Sequence, residues 1–286
     1  MYDDALAWAG SAIGSRVVSS EPLTGGVTST MLELEHEDGA RTVLRLMTHE
    51  PWRTHGAELT TRERTAQQFL SGTDVPAPTS LALDADGRVC GVAAHLMSRL
   101  PGTPVDRVEQ VDDAVIGTMA AAIAGIHRLR PSEPFRTFQS WAWEAKWVVP
   151  AWTRHPGSWR RAFEVLAGPA PAYEPTFLHR DFGHRNLLWV DGAISGVVDW
   201  VETSTGPAWL DAAHAASTLA VVVATDPALA LLEQYAALAP EPAHPYWLVM
   251  DAVGYLPPPG TQSMFREPEH LARLDDWLHR AVRELS

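Results

Sequence analysis

Leu178-His179-Arg180-Asp181-Phe182-Gly183-His184-Arg185-Asn186-Leu187-Leu188-Trp189 decides the reading of this chain. It is followed, after a turn at Asp191-Gly192, by Ile194-Ser195-Gly196-Val197-Val198-Asp199-Trp200. The first run has His-x-Asp at its core, then four residues, then Asn. Two short apolar strands come next and deliver a second Asp at their end. Asp and Asn are ordinary turn formers, and an Asp at a strand end is an ordinary cap, so each alone has a bland explanation. The joint spacing, with an apolar strand between, points to chemistry. Phosphoryl transfer needs one carboxylate to orient an attacking hydroxyl and accept its proton. It also needs a carboxylate and an amide oxygen to hold Mg2+ against phosphates, since hard oxygen ligands suit that ion.

Towards the N-terminus the pattern is that of a small β-rich unit. Residues 2–12 read as a short helix. Leu23-Thr24-Gly25-Gly26-Val27-Thr28-Ser29-Thr30 is a Gly-rich turn. Met31–Glu35 and Arg41–Leu46 read as strands joined at Glu37-Asp38-Gly39, a hairpin turn. Residues 57–70 read as a helix, broken off by Val75-Pro76-Ala77-Pro78. Residues 80–83 and 91–97 read as two further strands, and Arg88–Val92, with the single Cys90, as a buried strand segment. Leu100-Pro101-Gly102-Thr103-Pro104 is a linker. Beyond it the helical pattern takes over at 112–130, in two Trp-rich helices across 140–167, and at 209–223, 227–238, 246–255 and 267–285, with short strands at 176–178, 187–190 and 194–198. These elements predict an α+β, bilobal arrangement. Residues 1–100 form a small antiparallel lobe with one main helix, a hinge falls at about 97–104, and 105–286 form a large, mainly helical lobe.

The stretch around Asp181 resembles the aminoglycoside phosphotransferase and choline kinase family, whose loop reads roughly His-Gly-Asp-x-x-x-x-Asn and whose metal Asp lies in an Asp-Trp or Asp-Phe pair. The resemblance implies a protein-kinase-like fold and transfer of the γ-phosphoryl group of ATP, or GTP, to a small-molecule hydroxyl. By matching position, Asp181 would be the catalytic base and Asn186 and Asp199 the Mg2+ ligands. His179 would brace the loop, and Asp211, after Gly206-Pro207, would support it. Arg180 stands where the family usually has Gly. In sequence order, Gly25, Gly26, Thr28 and Ser29 fall where the family's nucleotide-positioning loop falls; a Gly-rich turn lets backbone N–H groups approach phosphates. The family places a basic residue on the third strand and a Glu on the next helix to orient it. These positions are Arg45 and, from the register with Val75-Pro76, Glu63, with Glu58 as the alternative. Arg45 replaces the more usual Lys, and the two cations differ in geometry. Ser98, Arg99 and Leu100 are the hinge candidates for contact with the nucleobase. His127 reads as a packing histidine.

The composition limits the partners. A formal net charge of −13 disfavours nucleic acid and anionic membranes. It is compatible with a cationic acceptor and equally explained by solubility. No apolar run reaches membrane-spanning length, and the acidic Met1-Tyr2-Asp3-Asp4 start lacks a basic signal-peptide region, so the expected location is the cytoplasm, as a monomer or homodimer. Among 12 tryptophans, Trp141, Trp143, Trp147, Trp152 and Trp159 cluster in the segment where the family binds its acceptor. Helix packing is the plainer role for them, stacking on a sugar or ammonium group the sharper one. Glu202, Glu267 and Glu269 read as solvated charges that a cation near the site would also suit. Two competing readings are a catalytically inactive nucleotide-binding module and a metallohydrolase using His179, Asp181 and His184. The first must explain why Asp181, Asn186 and Asp199 are all retained; the second lacks further ligands at zinc-site spacing.

Overall fold

The computed structural model describes residues 2–23, 28–105 and 110–285. The chain divides into two compact units, one of Met1–Thr103 with Leu188–Glu202, the other of Pro104–Leu187 with Thr203–Ser286. Residues 188–202 therefore group with the first unit and not with the helical segment in which the sequence division puts them.

In the first unit, helix α1 (Asp3–Ile13) precedes a five-stranded sheet. Its strands are β1 (Val17–Pro22), β2 (Thr30–His36), β3 (Arg41–Leu46), β4 (Ser80–Asp84) and β5 (Ala94–Ser98), in the order β1-β2-β3-β5-β4 and antiparallel throughout. Alternation of side chains along a strand separates two faces. Leu44 and Leu46 of β3 lie with Leu32, Leu34, Ala94 and Leu96 against Ala5 and Ala9 of α1. Arg45 belongs to the opposite face, paired in register with Met31 on one side and His95 on the other. Helix α2 (Gly56–Leu70) buries Leu59, Glu63, Ala66, Gln67 and Leu70, the i, i+4, i+7 stripe of a packed helix with one carboxylate set into it. A Cβ on Gly56 would stand 2.9 Å from the Cβ atoms of Ala93 and Met47, so this helix start requires glycine.

Past the two-residue strand β6 (Thr103–Pro104), the hairpin of β8 (Leu187–Val190) and β9 (Ala193–Val197) turns at Asp191 and Gly192, whose φ values of 49° and 78° suit the tight turns that join antiparallel strands. Its end is tied into the first unit. The Val197 N–H donates to the Pro76 carbonyl at 2.7 Å, the Arg62 guanidinium donates to the Val201 carbonyl at 2.6 Å, and Val201 joins Met47, Leu59 and Ala93 in a small apolar cluster.

The second unit contains helices α3 (Asp113–His127) and α4 (Pro156–Leu166), strand β7 (Thr176–Leu178) antiparallel to β10 (Ser204–Gly206), and helices α5 (Trp209–Val222), α6 (Thr225–Ala236), α7 (Pro245–Gly254) and α8 (Pro268–Arg283). The Asp112 carboxylate caps α3, accepting from the Val115 N–H at 2.9 Å. Helix α5 is buried almost all round, and its alanines let α6, α7 and α8 pack closely on it. Among the described residues no helix is long and apolar enough to cross a membrane.

Three sequence expectations need correction. The 140–167 segment holds one helix, α4, and a short 3-10 turn at Glu144–Lys146, because Pro150 interrupts the first half and Pro156 opens α4 at its first turn. Residues 88–92 are turn, not strand. The Asp84 carboxylate accepts the backbone N–H groups of Arg88, Val89 and Cys90 at 2.8–3.0 Å, drawing the chain into a knot that Gly87 and Gly91 permit with φ of 65° and 75°. Strand β1, polar and mostly exposed at the sheet edge, was not expected at all. The tryptophans serve packing in the main: Trp159 is fully buried, edge-on to Trp152, and Trp147 stacks on Phe163.

Candidate active site

The first unit supplies a buried cation and two carboxylates. Strand pairing sets Arg45 on the face covered by α2, where Glu63 waits. Arg45 Nη2 donates to Glu63 Oε1 at 3.1 Å and to Asp199 Oδ1 at 3.0 Å, Nη1 donates to Ser29 Oγ at 3.1 Å, and Nε lies 3.0 Å from Glu63 Oε2. Burial works against the Arg45 charge, but Asp199 and Glu63 more than restore it, so its pKa lies above the ordinary value. For Glu63, burial pulls the pKa up, while the Arg45 charge and the His95 bond hold it down at about 2. His95, opposite Arg45 in the register, donates from Nδ1 to Glu63 Oε2 at 2.9 Å and meets Ser80 Oγ through Nε2 at 2.9 Å. Glu58 is exposed and pairs with Arg62 instead. Asp199 sits just past β9 with φ 66°, its side chain 29 % exposed.

The second unit supplies the loop after β7. His179 and Arg180 donate their backbone N–H groups to the Asp211 carboxylate at 2.9 and 2.6 Å, and His127 Nε2 reaches the same carboxylate at 3.1 Å. Asp211 is wholly buried at the start of α5; burial raises its pKa, and the His127 bond and charge lower it further than that. His127 is thus more than core filling: its other nitrogen binds Tyr235 Oη at 2.7 Å, fixing the brace behind the loop. Arg180 adopts φ 77°, the left-handed region that favours the family's Gly. Its side chain is buried, with the guanidinium 3.9 Å from the centre of the Trp141 ring.

Asp181 projects from this loop with 36 % of its side chain exposed. Asn186 Nδ2 donates to the Asp181 backbone carbonyl at 2.8 Å and to Oδ2 at 3.2 Å, which turns the Asn186 amide oxygen the other way. Asp181 Oδ1 accepts from His214 Nε2 at 3.0 Å, and His214 Nδ1 lies 3.1 Å from Asp251 Oδ1 on α7. Burial raises the Asp181 pKa, yet the His214 bond and charge carry it below the usual value. His184, in the same loop, is pushed down to about 4 by burial and by the charges of Arg185 and His214.

Of the other expected residues, Ser29 is buried against Arg45 and Thr28 is half-buried. Gly25 and Gly26 lie outside the described residues. At the hinge the Ser98 N–H donates to the Thr79 carbonyl at 2.9 Å, the Leu100 carbonyl accepts from the Arg99 guanidinium, and Arg99 Nε pairs with Glu33 at 3.0 Å. Glu269 is an exposed partner of Arg273. Among the described residues no three His, Cys, Asp or Glu side chains gather as a metal site, so His179, Asp181 and His184 do not form one. Cys90 is half-buried, its thiol pushed up to about 12 by burial and by Asp84, which disfavours the reactive thiolate.

The residues missed in the sequence are His95, His214, Asp251 and Tyr255. One signal existed for His214: it follows Asp211 by three positions on a helix, which puts both on one face.

A family model described as "Phosphotransferase enzyme family" matches residues 19–250. Among solved structures, aminoglycoside phosphotransferase APH(4)-Ia in a ternary complex with ADP and hygromycin B is 16 % identical with a TM-score of 0.69, and the match covers 98 % of each chain. Macrolide 2'-phosphotransferase MphH from Brachybacterium faecium is 17 % identical with a TM-score of 0.62, over 88 % of this chain and 91 % of that one. Amicoumacin kinase hAmiN, solved with AMP-PNP, Ca2+ and its ligand, is 13 % identical with a TM-score of 0.62, over 99 % and 94 %. No curated protein matches the sequence.

Proposed function

Since the chain belongs to the phosphotransferase enzyme family and has its protein-kinase-like α+β fold, we propose that it transfers the γ-phosphoryl group of ATP to a hydroxyl of a small molecule, with antibiotics such as the ligands of its structural relatives the first candidates. The observation that carries the reading is the Arg45 guanidinium, buried on β3 and joined at once to Glu63 of α2 and to Asp199. A fixed cation held by a helix Glu beside a metal-type Asp is what triphosphate positioning asks of a kinase. Arg45 therefore steadies the phosphates in place of the usual Lys, offering a planar fork where Lys offers a point charge.

Asp181 orients the acceptor hydroxyl and takes its proton as the oxygen attacks the γ-phosphorus and the ADP oxygen leaves. A partly exposed carboxylate whose oxygens are held by His214 and Asn186 suits that role. Asn186 and Asp199 are assigned the Mg2+. Their donor set, an amide oxygen turned away from Asp181 and a partly exposed carboxylate, fits a hard cation that keeps several waters. When bound, Mg2+ supplies charge neutralisation on the phosphates. Thr28 and Ser29, with Gly25 and Gly26, are assigned the phosphate-side loop, and Arg99 and Leu100 the nucleobase edge. The acceptor, small and uncharged or cationic, is set against Asp181.

The test is ADP release from ATP and Mg2+ against a panel of aminoglycosides, macrolides, other hydroxylated antibiotics, choline and amino sugars. Release that depends on one compound and is lost in Asp181→Asn is the expected result. No nucleotide binding in the wild-type chain would instead favour a kinase-like module without catalysis.

A further inference from the structure

The kinase-type roles above leave unused a buried histidine in contact with Asp181. His214, on the inner side of α5, stands between two carboxylates, with Nε2 3.0 Å from Asp181 Oδ1 and Nδ1 3.1 Å from Asp251 Oδ1. An ionised carboxylate only accepts hydrogen bonds, and a neutral imidazole has one donor and one acceptor nitrogen. Two carboxylate partners therefore call for a proton on each nitrogen. The surroundings are built for that state. The Tyr255 ring lies nearly parallel to the imidazole, 15° off, with its hydroxyl 3.3 Å from Nδ1 and held by Thr218 at 2.8 Å. Trp141 meets the imidazole edge-on and carries the Arg180 guanidinium on its face. Asp251 is buried on α7, and among the described residues its Oδ2 has no hydrogen-bond partner, so His214 is its compensation.

We propose that His214 is held as an imidazolium between Asp181 and Asp251, and that this buried cation is the positioning residue that aims the Asp181 carboxylate at the acceptor hydroxyl. The inference rests on the phosphotransferase reading and adds a relay, Asp251 to His214 to Asp181, that reaches the reacting groups through one contact. With His214 on Oδ1 and Asn186 on Oδ2, the plane of the carboxylate is fixed from both sides. Burial opposes the charge on His214, but Asp251 and Asp181 outweigh it and carry its pKa up to about 10. The charged and titratable groups facing it are Asp181 and His184 from the loop, Asp251 from α7, Tyr255 just past the end of α7, and Arg180 across Trp141.

The experiment has two arms on the full chain. Nitrogen-15 NMR of the histidine side chains at pH 8 reads the protonation state directly, and wild-type protein suffices. The expected result is two protonated nitrogens for His214. A neutral ring accepting from a protonated Asp251 overturns the proposal. The second arm measures turnover of MgATP, with water as acceptor, and its KM in Asp251→Asn, a change at a buried residue that reaches Asp181 through His214. A displaced reacting group costs on the order of 100-fold, so kcat should fall about 10- to 100-fold with KM for MgATP unchanged. Asp251→Glu, which keeps the charge, should recover part of the loss, and the alkaline limb of the pH profile should move towards neutral in Asp251→Asn. Unchanged kcat in folded Asp251→Asn overturns the positioning role. If that variant does not fold, His214→Gln takes its place with the same expectation. A wild-type chain with a doubly protonated His214 that neither binds nor turns over MgATP would instead overturn the phosphotransferase reading, and the relay's positioning role with it.

Discussion

At Asp181 a single substitution removes two things together. One is the charge beside His214; the other, in the proposed reaction, is acceptance of the acceptor's proton. Asp181→Asn preserves shape and removes both, so kcat should fall by about 10²–10⁴-fold, while MgADP affinity measured by calorimetry stays near wild type. Retained turnover would remove Asp181 from the mechanism. Arg45 is the opposite case, a residue whose loss is felt in the fold. Its side chain and that of Glu63 are almost completely buried, so Arg45→Ala strands a carboxylate away from water. Breaking one side of such a pair costs about 3–5 kcal/mol. Urea denaturation should show a loss of that size, largely recovered when Glu63→Gln is added. A loss under about 1 kcal/mol would mean that Glu63 finds another partner, as exposed pairs do.

Among the elements, α5 carries the heaviest duty. Its first turn presents Asp211, which accepts two backbone N–H groups and a histidine, and its next turn presents His214. Asp211→Ala should loosen the whole loop; amide hydrogen exchange at His179 and Arg180 should quicken, and kcat should fall. Unchanged exchange would mean that the loop is held elsewhere. The loop itself was legible because its signal is local, with His179, Asp181 and Asn186 at fixed short spacing. The Arg45–Glu63 bond was legible only through the family resemblance, whose register sets a Glu on α2 ahead of Val75-Pro76. Three features were not. The knot at Arg88–Cys90 depends on where the Asp84 carboxylate points, which alternation of apolar residues does not encode. The His214–Asp251 contact joins two helices 37 positions apart, and nothing in either helix's pattern names the other. Strand β1 escaped because an edge strand with polar side chains carries little periodic signal.

For the molecule as a whole, stability against pH should fall at both ends for named reasons. The Glu63 pKa is depressed from 4.5 to about 2. Its contribution is complete above the unfolded value and is lost as pH falls through the folded one. The His214 pKa is raised from 6.5 to about 10. Its contribution is complete below the unfolded value and is lost as pH rises through the folded one. Melting temperature should therefore decline below about pH 4 and again towards pH 10, and Asp251→Asn should bring the alkaline decline to lower pH. An alkaline limb unmoved by that substitution would assign it to other groups. Residues 188–202 bear on the same scale. They give the first unit Asp199, Val201 and the Val197–Pro76 bond, so a 1–103 fragment should not fold by circular dichroism, whereas 1–103 linked to 188–202 should do better. This interleaving also constrains inheritance. A single genetic crossover near residue 103 gives a hybrid whose first unit mixes two parents, with one ancestor's strands beside the other's hairpin. Descendants that trade whole units intact need exchanges at three places, so acceptor preference is expected to diversify by local change within the helical unit more readily than by shuffling.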